Sequence, residues 1–166
     1  MVDENTLNRR KILVLGQLTT SQTGNLKAAL LKRVKIFSMI GLPGIQQKQK
    51  GYYCYARKGI INHESRFIFP TPKKNYSLFP FYYIVGISMI LRYALINRQH
   101  YDVVIGVSTF YAVMGLILQF IGISSKSIYY CLDYYPLPKK SFVRKFFVYV
   151  FRKLDRICAN NCDATW

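Results

Sequence analysis

Acidic side chains are scarce in this chain of 166 residues: seven Asp and Glu stand against 24 Lys and Arg, a formal charge of +17. Each carboxylate is therefore a countable candidate for chemistry. A surface this basic favours an anionic partner, whether nucleic acid, lipid head groups or a phosphorylated small molecule. Histidine is scarcer still: the only two, His63 and His100, lie far in sequence from the four cysteines, Cys54, Cys131, Cys158 and Cys162. No CxxC pair occurs, so no metal framework is expected. Cys158 and Cys162 stand one helical turn apart, a spacing that suits small packing positions better than ligands, and reduced thiols are expected. The first residues, "MVDENTLNRRK", are acidic and polar, without the pattern of a signal peptide. Aromatic residues interleaved with Lys and Arg on one exposed surface, the mark of a nucleic-acid stacking platform, are not evident, so nucleic acid is not an expected partner.

What is present is apolar. Hydrophobic residues make up 51% of the chain and aromatics 16%, which excludes disorder and suits a single folded domain over residues 1–166. "KILVLG" (11 to 16) reads as a buried strand ended by glycine. The small polar loop "QLTTSQTGN" follows, then "LKAALLKRV" with helical spacing and Thr23 or Asn25 as N-cap. "KIFSMIGL" (35 to 42) predicts a second strand, and "YYCYARKGIINHESRFIFPTP" a hairpin or irregular strand ended by Pro70 and Pro72.

The segment from 76 to 99 predicts a buried or interfacial helix, because its uncharged core is too short for a membrane span. Residues 103 to 125 carry no charge, yet they divide into a β-branched strand, "YDVVIGVS", and a helix-length run, "TFYAVMGLILQFIG", capped by Ser108 or Thr109 and closed by Gly122. "KSIYYCLD" (126 to 133) predicts another strand, and "KSFVRKFFVYVFRKLDRIC" (140 to 158) a last helix. On a helical wheel Phe142, Val143, Phe146, Phe147, Val150, Phe151, Leu154 and Ile157 share one half, with Arg144, Lys145, Arg152 and Arg156 opposite. "ATW" reads as the start of one more strand. Strand, helix, strand, helix is the pattern of an α/β fold: a Rossmann-like parallel sheet flanked by helices. The alternative is a small integral membrane protein with two helices near 78–97 and 103–125.

The order of these elements, with "KILVLG" and its loop, "YDVVIGVSTFYAVMGLILQFIG", "SIYYCLDYYP" and "LDRICANNCDATW", resembles the N-terminal half of a family 4-type glycosyltransferase of the two-Rossmann-domain (GT-B) class. The likeness is weakest between residues 43 and 75. It departs from the family in two places: the first loop lacks a double glycine, and Val107, Ser108 and Thr109 stand where family members often carry a histidine. The resemblance implies an acceptor-binding domain. It places the nucleotide-sugar domain beyond Trp166, so the chain is expected to be a fragment, inactive by itself. Partners implied are a glycan or lipid-linked acceptor, a nucleotide sugar as co-substrate with no other cofactor, and chemistry that leans towards retention.

Candidate site residues follow from this frame. Asp133 ends a predicted parallel strand, where ligands of open α/β sheets bind, and is the candidate catalytic carboxylate; the alternative is that it caps the turn before Pro136. Gly16, Thr23, Gly24 and Asn25 form a candidate acceptor or phosphate loop, and Ser108, Thr109 and Tyr134 line the cleft. Arg144, Lys145 and Arg152 face an anionic membrane surface, which makes the expected location cytoplasmic and peripheral at the inner face of the membrane. Asp102, Asp155 and Asp163 are expected to be structural, with Asp155 on a helix surface.

Overall fold

A run of branched apolar residues with no polar face must be covered on both sides, and "KILVLG" is: it forms β1 (Lys11–Gln17), buried at every interior position. The computed structural model describes residues 7–17, 21–43, 50–69, 79–96, 99–131 and 142–165. After β1 come α1 (Ser21–Leu31), β2 (Ile36–Leu42), β3 (Gly51–Arg57) and β4 (Ile60–Phe67). Then follow α2 (Phe79–Ile96), β5 (Tyr101–Val107), α3 (Thr109–Phe120), β6 (Ser124–Tyr130), α4 (Phe142–Asn161) and β7 (Ala164–Thr165).

The strands form one seven-stranded sheet in the order β4-β3-β2-β1-β5-β6-β7. From β2 to β7 along that order, β2, β1, β5, β6 and β7 run parallel. β3 and β4 add an antiparallel hairpin on the β2 edge. The hairpin turns on Lys58 and Gly59, both with positive φ (51° and 79°), the two-residue geometry that matches strand twist. This is a Rossmann-like α/β fold.

Period-2 alternation sends neighbouring strand residues to opposite layers. Leu13, Leu15, Ile40, Tyr53 and Val104 pack with α2 and α3 through Tyr82, Ile90, Met114 and Leu118. Ile12, Val14, Phe37, Met39 and Ile105 pack on the other face with Leu26, Leu30 and Leu31 of α1. A third cluster, Ala112, Tyr129 and Cys158, joins α3, β6 and α4. Asp102 holds the amino end of the sheet together: it accepts the Lys11 amide hydrogen bond at 2.7 Å and lies 3.8 Å from Arg10.

Several expectations change. α1 begins at Ser21, so Thr23 and Asn25 are not caps but lie inside the helix, Thr23 in its first turn and Asn25 in its second. Thr23 instead donates its hydroxyl back to the Gln17 carbonyl at 2.9 Å. The two-span membrane alternative is contradicted: residues 103 to 125 are divided among β5, α3 and the start of β6, and no described helix is long and apolar enough to cross a membrane. In α4 the wheel is rotated. Phe146 and Ile157, expected inside, are exposed, whereas Cys158 is buried and Asp155 half-buried. The side chains of Phe142, Val143, Arg144 and Phe147 lie outside the described residues.

Candidate functional site

In a parallel sheet the place for a ligand is where successive connections leave in opposite directions from the carboxyl ends of two neighbouring strands. Here those strands are β1, whose chain passes to β2 on one side, and β5, whose chain passes to β6 on the other. β1 and β5 are in register up to Leu15 opposite Gly106, so Gly16 and Val107 stand at the lip. A Cβ on Gly16 would lie 3.1 Å from both Thr23 Oγ1 and Thr23 Cγ2 and 3.3 Å from Val107 Cβ. The glycine lets strand, helix and neighbouring strand close tightly at this point.

Ser108 follows at the tip of β5 with φ 80° and ψ 163°, a region of backbone space that belongs to glycine. Its amide donates to the Tyr130 carbonyl at 3.0 Å, which clamps the end of β5 to the end of β6. It is also the N-cap of α3, yet its hydroxyl makes no cap hydrogen bond. The helix therefore starts at the crevice with its positive dipole end towards it. The backbone strain is worth about 1–3 kcal/mol and exceeds the unfolded-state entropy that glycine would add, about 0.4–1 kcal/mol. Ser108→Gly is thus expected to raise stability by about 1 kcal/mol in urea unfolding.

Behind the crevice lies a buried polar cluster. Thr109 Oγ1 is 3.1 Å from the Tyr129 hydroxyl and donates to Asp155 Oδ1 at 3.3 Å. Tyr129 donates to the same carboxylate oxygen. Burial, followed by the hydrogen bond to Asp155, pushes the Tyr129 phenol above its ordinary value, so it stays a donor. Cys158 sits beside this cluster with Sγ 3.9 Å from the Thr109 carbonyl. Its hydrogen bond with Cys162, and then burial, push its thiol up, while the same bond holds half-buried Cys162 down at about 7. Just past the carboxyl end of α4, Asp163 accepts from the Ser127 amide at 2.8 Å and from Gln119 at 3.1 Å.

No family model matches the chain, and neither a curated protein nor a solved structure does.

Of the residues predicted from sequence, Gly16, Thr23, Ser108 and Thr109 are brought to the β1/β5 crevice. Thr109 is fully buried, so it anchors α4 and only Ser108 reaches the crevice surface. Gly24 and Asn25 are exposed on α1, and a Cβ on Gly24 would meet nothing within 4 Å, so a close backbone approach there has no geometric basis. β6 ends at Tyr130, earlier than expected; Asp133 and Tyr134 lie outside the described residues. Asp155, expected on a helix surface, is half-buried and paired. The signal was present in its spacing, because Phe151, Asp155, Cys158 and Cys162 repeat at helical intervals and share one stripe.

Near the crevice, α2 meets α3 and α4 through Tyr83, whose ring lies 4.9 Å from Phe110 and 5.6 Å from Phe151. Outward from this seam Phe81, Ile84, Phe146 and Tyr149 are more than half exposed. Lys145, Arg152, Lys153 and Arg156 are exposed on the same helix, α4. A separate cavity of about 200 Å³, lined by Leu7, Asn8, Lys32 and Arg33, opens at the amino-terminal edge of the sheet, away from the crevice.

Proposed function

We propose that this chain is the acceptor-binding domain of a GT-B glycosyltransferase, working on a glycan or lipid-linked acceptor held at an anionic membrane surface on its cytoplasmic side. The observation that carries the reading is Ser108. A serine is held in glycine's backbone region at the switch point of the sheet, where α3 begins. Strain of this kind persists where surrounding structure over-determines it, and it clusters at ligand sites.

In this reading the acceptor lies along the carboxyl ends of β1, β5 and β6. The helix α3 start and the Ser108 hydroxyl orient its polar groups, and the buried Thr109–Tyr129–Asp155 cluster keeps α4 fixed behind them. A nucleotide sugar, carried by a second α/β domain, faces the acceptor across the crevice. The acceptor oxygen bonds to the anomeric carbon as the bond to the diphosphate breaks, and the hydroxyl proton passes to the departing diphosphate. Asp133, just beyond β6, is the carboxylate proposed to position that hydroxyl. The exposed aromatics of α2 and α4, with Lys145 and Arg152 beside them, rest on the lipid surface, where apolar insertion and attraction to anionic head groups add.

The test is calorimetric binding of two ligand sets in the presence of anionic vesicles. Lipid-linked sugars or oligosaccharides are expected to bind the chain, and nucleotide sugars are not. Binding of nucleotide sugars alone would reverse the assignment of this domain.

A further inference from the structure

We propose that β4 pairs antiparallel with β4 of a second copy of this chain, across a two-fold axis at Ser65, to give one continuous sheet. β4 is the outer strand of the sheet, and its backbone edge has no partner among the described residues. Unpaired edges of this length are usually blunted or used. This one is exposed on both faces for most of its length, with Ile60 70% and Ile61 41% accessible.

The side chains select a register. In an antiparallel pair related by a two-fold axis, opposed residues point to the same face, so only pairings whose residue numbers sum to an even value are allowed. A centre at residue 64 opposes Glu64 to its own copy, and a centre at 66 opposes Arg66 to its own copy; both put like charges together. A centre at Ser65 opposes Glu64 to Arg66 of the second copy, twice. Both residues are exposed and share a face, since they sit opposite Cys54 and Tyr52 of β3. Charges placed only to keep copies apart would repel in every register, but these attract in one.

A second, independent observation falls at the same centre. Ser65 Oγ is buried against its own chain with no hydrogen-bond partner. In the proposed register Ser65 faces Ser65 of the second copy, and a turn about χ1 gives each hydroxyl the other as partner. On that face the pairing also sets His63, which meets the Tyr53 ring at 5.7 Å, opposite Phe67 of the second copy; Phe67 in turn stacks on Tyr93 at 4.9 Å. The regular stretch is residues 63 to 67, because the register shift between Tyr55 and Ala56 interrupts the ladder before it. β4 lies at the far side of the sheet from the β1/β5 crevice, so the proposal stands apart from the functional reading.

Sedimentation equilibrium of the whole chain over a concentration series tests it. The wild type is expected to dimerise. Glu64→Arg and Arg66→Glu, each of which opposes like charges at both pair positions, are each expected to weaken dimerisation roughly 100-fold. The double variant E64R/R66E, and an equal mixture of the two single variants, restore opposite charges and are expected to recover association. Circular dichroism checks that each variant folds; should a single variant unfold, the double variant carries the same substitutions and decides alone. A monomeric wild type, single variants that associate as well as wild type, or a double variant that stays monomeric overturns the proposal.

Discussion

Gly106→Ala is expected to destabilise the fold by about 3 kcal/mol or more, because the added methyl group meets backbone atoms that cannot turn aside. The added Cβ would stand 2.4 Å from the Ala112 amide nitrogen and 2.5 Å from Ala112 Cα and the Tyr111 carbonyl carbon. All three are backbone atoms of α3, and no rotamer change relieves the clash. Gly106 is paired on both sides, with Leu15 of β1 and Tyr129 of β6, so the strand cannot move away and the helix must lift. Lifting α3 exposes Met114 and Leu118 and pulls Thr109 from Asp155. For a chain of this size a loss of about 3 kcal/mol lowers the melting temperature by about 6–12 °C, readable by calorimetry. Gly115→Ala is the control. Its Cβ would meet Val104 Cγ1 at 3.4 Å, an ordinary contact, and alanine is the better helix former by about 1 kcal/mol.

Asp155→Ala is expected to cost about 2–3 kcal/mol in urea unfolding, and Asp155→Asn about 1 kcal/mol. The alanine leaves the buried hydroxyls of Tyr129 and Thr109 without their shared acceptor, whereas the asparagine keeps a carbonyl oxygen in the same place. The asymmetry between the two variants separates a hydrogen-bonding role from a packing one. Tyr129→Phe removes one of the two donors, and in the Asp155→Ala background its effect should shrink, because the contact is already gone. Equal costs for Ala and Asn would show that the carboxylate is not the acceptor that matters.

The parallel sheet was legible because β1, β2 and β5 are continuous apolar runs bounded by glycine or polar residues, which only burial on both faces explains. The same logic kept residues 103 to 125 from being one membrane span. A hairpin or irregular strand is legible over "YYCYARKGIINHESRFIFPTP", but the alternation does not choose between the two, and the turn at Lys58–Gly59 is seen only in the backbone. Element ends were less so. The α1 start could not be seen at Ser21, since Thr23 and Asn25 are equally good cap residues, and the tertiary bond from Thr23 to Gln17 decides the matter. On α4 the aromatics alone do not show which side faces inward. Small Cys158 and the paired Asp155 fit against α3 and β6, while Phe146 is left outside. Ser108 reads as a cap residue in the sequence and is one, but its strained backbone has no signature in a single serine. Nothing in its neighbours announces it.

The measurement closest to the central claim is an amide chemical-shift map of the labelled chain titrated with a lipid-linked sugar in anionic lipid. The largest shifts are expected on Gly16, Ser108, Thr109 and Tyr130, at the carboxyl ends of β1, β5 and β6. Shifts confined instead to Leu7, Asn8, Lys32 and Arg33, around the cavity at the opposite edge, would contradict it.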